Sequence, residues 1–145
     1  MLAQLAVGAL GSVCSITIHA FMMTIILKVV RVHGAIRGYS SVTLWRIMSS
    51  AVCVIMAAHT VEVAIWAAIY KVIRIAPAGS DFLYFAFVNY TTLGYGDIVM
   101  SKEWKMLGAL EAVVGVLMLG MTSAALMAIL SQLMKVQQRE LGHED

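Results

Sequence analysis

The sequence predicts an all-α membrane protein with three spanning helices and one short re-entrant helix. Of its 145 residues, 61% are hydrophobic and only 12% charged, whereas a soluble domain carries about 45–50% apolar and about 25% charged residues. Mean hydropathy is +0.90. Three apolar stretches exceed the roughly 20 residues that a helix needs to cross a bilayer, and a fourth falls short of it. Water-soluble and disordered folds are thereby excluded. Little chain remains for an extramembrane domain, so the function is expected within the bilayer.

Residues 2–30 are apolar apart from Gln4, Ser12, Ser15, Thr17, His19, Thr24 and Lys28, which predicts the first span. Gly8, Gly11 and Ser15 stand at a spacing that lets helices approach closely. No basic segment precedes the apolar run, which outlasts a signal-peptide core, so no cleavage is expected. Lys28, Arg31, Arg37 and Arg46 follow without an acid, broken by Gly34 and Gly38. Residues 1–43 are therefore read as a spanning helix and a basic cytoplasmic loop, in part an interfacial helix.

The second span, 44–75, is long for one perpendicular crossing and is expected to tilt or project. Pro77 and Gly79 are expected to end it. Ser80 as N-cap, with Asp81 in the first turn, predicts a helix over 81–91 that reaches about 15 Å, half the hydrocarbon core. The last span, 105–133, carries Glu111, Gly115 and Gly120, and a polar tail over 134–145 follows. Six Lys/Arg in the loop and tail, against four at Lys71, Arg74, Lys102 and Lys105, predict a cytoplasmic loop and tail and an outside N-terminus.

Irregular backbone at membrane depth is tolerated only where it is buried in protein or lines a water-filled path. Residues 92–97 cannot be helical throughout and are expected to line a pore. Gly94 and Gly96 permit positive φ, which lets the carbonyls of Thr92, Leu93, Gly94 and Tyr95 point the same way. Four such chains would stack oxygen cages able to replace the water shell of K+, with the Thr92 hydroxyl as the innermost ring.

Thr91-Thr92-Leu93-Gly94-Tyr95-Gly96-Asp97 closely resembles the selectivity filter of tetrameric potassium channels, with Leu93 at the usual Val position. The whole of 44–133 is similar to the pore domain of small prokaryotic two-transmembrane, pore-loop channels, to which this chain adds an N-terminal helix. The resemblance implies an outer helix 44–75, a pore helix 81–91, a filter 92–97 and an inner helix 105–133, assembled as a homotetramer. It implies K+ coordination by Thr92, Leu93, Gly94, Tyr95 and Gly96, with Asp97 at the outer mouth. Gly115 and Gly120 match the flexible inner-helix positions of that family, which makes them the gating-hinge candidates, Gly115 first, and Val116, Leu119, Ser123 and Met127 are placed towards the cavity. The tryptophans that often cuff the filter are replaced by Tyr84 and Phe85, and a carboxylate found behind some filters is replaced by Val88. Asn89 and Tyr90 are candidates for filter support beside Tyr84.

Glu62 and Glu111 are membrane-embedded acids, which makes them functional candidates by default. His59 and Glu62, three residues apart, share a helix face with Trp66 and Tyr70. That face can support the pore helix, relay protons or reach a metal, although two ligands on one helix do not complete a metal site. Glu111 is expected to be a paired carboxylate near the filter. His19 and His33 are read as packed or solvated side chains, and Cys14 and Cys53 as small buried packing residues. The arginines lack the repeat of a voltage sensor, and the tail is too short for a ligand-binding gating domain. The function expected is passive, potassium-selective conduction in a cell membrane. No enzyme activity, cofactor other than the permeant K+ or nucleic-acid partner is expected, and lipids and sister chains are the neighbours. The alternatives are a non-selective cation channel of the same fold and a small proton-coupled transporter using Glu62.

Overall fold

A computed structural model of the chain describes residues 1–34, 41–76 and 79–141. It contains four helices: α1 (Leu2–Gly34), α2 (Ser41–Ile73), α3 (Phe82–Tyr90) and α4 (Lys105–Leu141), the last entered through a single 3-10 turn at Lys102–Trp104. No strand occurs among the described residues. Three segments are long and apolar enough to cross a membrane, namely Leu2–Val30, Val42–Ile73 and Lys102–Lys135. With nine residues, α3 is not.

One face of α1 builds its packing. Gln4, Gly8, Gly11, Ser15, His19, Met23, Ile26 and Val30 are its buried residues, and they recur in steps of three and four that keep them on one side of the helix. A Cβ at Gly8 would lie 2.4 Å from Leu110 Cδ1, and one at Gly11 would lie 3.0 Å from Trp66 Cη2. The missing side chains therefore let α1 settle against both α4 and α2. Gln4 Oε1 accepts a bond from the Met106 backbone N–H at 3.1 Å, so the starts of α1 and α4 lie together and the two helices run parallel. In the opposite sense, α2 brings Trp66 to Gly11 and Ala51 to Ile26.

Cys14 and Cys53 are exposed rather than buried. Cys14 falls one position off the buried stripe of α1, and Cys53 lies off the α2 face that carries Ala51 and Ile55.

Several helix ends depart from the expected ones for local reasons. The end of α2 is at Ile73, and Pro77 lies outside the described residues. Arg74 takes φ 52° and the Ile75 N–H bonds to the Tyr70 carbonyl at 3.3 Å, the six-to-one closure of a Schellman motif, here with Arg rather than glycine in the left-handed position. Asp81, not Ser80, caps α3: its carboxylate accepts from the backbone N–H groups of Leu83 and Tyr84 at 3.1 and 3.0 Å, replacing two bonds that the helix start cannot make internally. Lys28 and Arg31 lie within α1 and Arg46 within α2, while Arg37 and Gly38 lie outside the described residues. α4 continues through Leu141 into the segment expected as a polar tail, because Gln, Arg, Glu and Leu are good helix formers and the first breaker is Gly142.

Two apolar cores result. One gathers Trp66, Tyr70, Phe85, Ala86, Tyr90, Leu107 and Met118 around α3, and the other gathers Met23, Ile26, Ile55, Ile129 and Leu133 at the opposite end of the bundle. Between them lies a buried polar layer containing His19, His59 and Glu62.

Candidate pore site

The site begins where α3 stops. Thr92 N–H bonds to the Asn89 carbonyl at 2.9 Å and Leu93 N–H to the Val88 carbonyl at 2.9 Å, while Gly94 N–H also approaches the Val88 oxygen at 3.3 Å. This is again a Schellman closure, with Thr92 as the left-handed residue at φ 60°. A β-branched residue seldom adopts that conformation, and here three backbone bonds hold it. Val88 thus supports the turn through its main chain, although it lacks the carboxylate that the resemblance would place there.

From Thr92 the sign of φ alternates. Thr92, Gly94 and Gly96 have φ of 60°, 57° and 77°, and among the described non-glycine residues only Arg74 and Thr92 are positive, so Leu93 and Tyr95 are not. Alternation of this kind turns successive peptide units so that neighbouring carbonyls can share a direction, and glycine supplies it at two of the three positions without a Cβ penalty. All residues from Thr91 to Asp97 are exposed in the single chain. Thr92 shares a groove with Ala112, Val113, Val116 and Leu117 of α4. Val116, Leu119 and Met127 are exposed, as is Ser123, whose hydroxyl bonds back to the Leu119 carbonyl at 3.0 Å. These four residues therefore occupy an uncovered side of α4.

Behind the turn, α4 and α2 present carboxylates to α3. Tyr70 donates to Glu111 Oε2, and both side chains are fully buried. The other Glu111 oxygen and the Asn89 amide nitrogen are buried and meet no hydrogen-bond partner of good geometry among the described residues. Glu62 is held on all sides: Tyr90 donates to its Oε2, His19 Nδ1 lies 3.0 Å from its Oε1 and His59 Nδ1 lies 3.3 Å from its Oε2. Beside the turn, the neighbouring Asp97 carboxylate raises the Tyr84 hydroxyl above its ordinary pKa.

Gly115 stands where α4 crosses the end of α3, and a Cβ there would fall 2.0 Å from the Tyr90 carbonyl oxygen. This is a backbone-to-backbone approach that any side chain would obstruct. Nothing lies within 4 Å of a Cβ at Gly120, and α4 is a continuous helix through both glycines.

Some neighbours lay beyond the sequence pattern. His19, read as packing or solvated, is fully buried and bonded to Glu62, and Thr122 Oγ1 lies 3.0 Å from His59 Nε2. The only available signal for His19 was its place four residues after Ser15 on the small-residue stripe. The side chain of His33 lies outside the described residues.

Three membrane-length helices, a capped helix too short to span and an alternating-φ turn at its end define a multi-pass membrane protein of the pore-loop class. The sequence matches the family described as "Ion channel" over residues 58–132, slightly more than half of the chain. The match runs from mid-α2 through α3 and the turn into α4. The chain belongs to this family of two-transmembrane, pore-loop ion channels, with α1 as an additional N-terminal helix. No curated protein and no solved structure matches it.

Proposed function

We infer that the chain forms a homotetrameric channel selective for potassium, in which dehydrated K+ passes down its gradient through four copies of residues 92–96. The observation that carries this reading is the alternating φ of Thr92, Gly94 and Gly96 at the buried end of α3, a backbone suited to a column of carbonyl oxygens. Such oxygens replace an ion's hydration shell only when several chains surround it. The exposure of Leu93 and Tyr95, at 55% and 66%, and the uncovered side of α4 agree with sister chains closing around the turn.

In this reading Val116, Leu119, Ser123 and Met127 line the cavity. Gly120, with free space around it, is the better hinge, and Gly115 serves the α4–α3 contact. Tyr84 holds Asp97 at the outer mouth, while Glu111 with Tyr70, and Glu62 with Tyr90 and His59, support the pore helix from behind. Localisation is the cell membrane, with the N-terminus outside and the C-terminus cytoplasmic.

Single-channel recording of the purified protein in a planar bilayer with opposed K+ and Na+ tests the reading. A reversal potential close to that of K+ is expected. A reversal near zero would replace it with a non-selective cation channel of the same fold.

Asp97 supplies a separate prediction. Four carboxylates at the mouth should concentrate cations, an effect that salt screens over about 8–10 Å near physiological ionic strength. Asp97→Asn is therefore expected to lower conductance most at low ionic strength. An equal loss at every salt concentration would assign Asp97 to bracing through Tyr84 instead.

A further inference from the structure

The polar layer between the two cores is not accounted for by conduction. Three potential ligands converge in it from two helices: His19 of α1, and His59 and Glu62 of α2. All three are buried, and their ligand atoms lie within 4.8 Å of one another. Two of the separations, one to each Glu62 oxygen, also come close to those around a single ion. Zinc bonds of about 2.0–2.1 Å in a tetrahedron put neighbouring ligand atoms about 3.3 Å apart. His19 Nδ1 to Glu62 Oε1 is 3.0 Å and His59 Nδ1 to Glu62 Oε2 is 3.3 Å. The Tyr90 hydroxyl, 3.0 Å from His59 Nδ1 and donating to Glu62, borders the same space from α3.

The opposite edges of the two imidazoles strengthen the case. Their rings lie 5.2 Å apart, and both Nε2 atoms approach one oxygen, Thr122 Oγ1, at 3.0 Å from His59 and 3.4 Å from His19. A histidine that binds a metal through Nδ1 carries its proton on Nε2 and gives it to an outer acceptor, which fixes the ring. A threonine oxygen has two lone pairs and can accept from both rings.

We propose that His19, His59 and Glu62 form a binding site for a divalent transition-metal ion of the zinc class, with Tyr90 at the fourth side and Thr122 orienting both histidines. Two imidazoles and a carboxylate suit zinc-class ions, whereas K+ is a hard ion served by oxygens. The ion would neutralise the buried carboxylate and tie α1 and α2 together beside Tyr90, two residues before Thr92. Metal at this point would therefore hold the added N-terminal helix against the end of the pore helix.

The test uses the full-length protein in detergent, stripped with a chelator and titrated with Zn2+ alone in K+ buffer. One tightly bound zinc per chain is expected after desalting, and Co2+ in its place should give the visible absorption of a four-coordinate nitrogen–oxygen site. His19→Gln and Glu62→Gln are each expected to weaken binding more than about 100-fold, and Thr122→Val, which leaves all three ligands in place, by about 10-fold. Thr122→Val and the Co2+ spectrum keep the test decisive if a ligand variant fails to fold. Absence of stoichiometric zinc, a six-coordinate Co2+ spectrum, or undiminished binding in a folded His19→Gln protein, which would point to His33 or His143, would each overturn the site. None of these readouts depends on ion conduction.

Discussion

Gly115→Ala is expected to cost the protein most of its channel activity and much of its folded stability. The new Cβ would lie 2.0 Å from the Tyr90 carbonyl oxygen and 2.9 Å from its carbonyl carbon. Both are backbone atoms at the end of α3, so no side-chain rotation relieves the clash. α4 and α3 must separate by about 1 Å or more, and overpacking of this kind costs about 1–3 kcal/mol per chain. The displaced Tyr90 directly follows Val88 and Asn89, whose carbonyls tie down Thr92, Leu93 and Gly94. Gly120→Ala is the control: it meets nothing within 4 Å and replaces a poor helix former by a good one, so it should keep its fold and alter open probability at most. Thermal unfolding in detergent, read beside single-channel current, separates the two. Equal stability and current in both variants would show that the close approach at Gly115 is dispensable.

If the chain forms the proposed tetrameric potassium channel, Gly96→Ala is expected to leave the assembly intact and remove its potassium selectivity. At φ 77° the position is left-handed, and a Cβ there would meet nothing within 4 Å of its own chain. The penalty is therefore conformational, about 1–2 kcal/mol per residue, and in the proposed tetramer it would arise in each of four chains around one ion path. The least costly relief is rotation of the peptide unit, which takes a carbonyl off the axis. A reversal potential displaced towards that of Na+ in folded channels is the expected readout. Wild-type selectivity in such channels would remove the carbonyl-column reading. Leu93→Val, at a position without positive φ, should leave selectivity nearly unchanged.

Glu62 and Glu111 mark the boundary between the local pattern and the assembled bundle. Two lone acids in apolar helices signalled that partners must exist, because an unpaired charge there is costly. Apart from His59, which shares a helix face with Glu62, their partners were not readable. Tyr70 is 41 residues from Glu111, and His19 is 43 from Glu62. Pairing at such distances depends on the rotation and stagger of one helix against another. A register shift of one residue would turn His19 away from Glu62 altogether.

By itself the sequence determined the membrane class, the three spans, the short fourth helix and the glycine-punctuated turn. Each of these is a local property: hydropathy over some 20 residues, an apolar run too short to span, or glycine where φ must be positive. The tertiary structure decided the ends and the contacts. Arg74 and Thr92 adopt the left-handed conformation without being glycine because backbone bonds from the following residues close the helices there. Cys14 and Cys53 face outward because α1 and α2 turn other stripes inward. Gly115 reads in the sequence as a hinge and in three dimensions as a contact, since only the crossing of α4 over α3 brings the Tyr90 carbonyl to it. Helix packing sums many weak contacts between residues far apart in the chain, so the layer of His19, His59, Glu62 and Thr122 exists only once α1, α2 and α4 are in place.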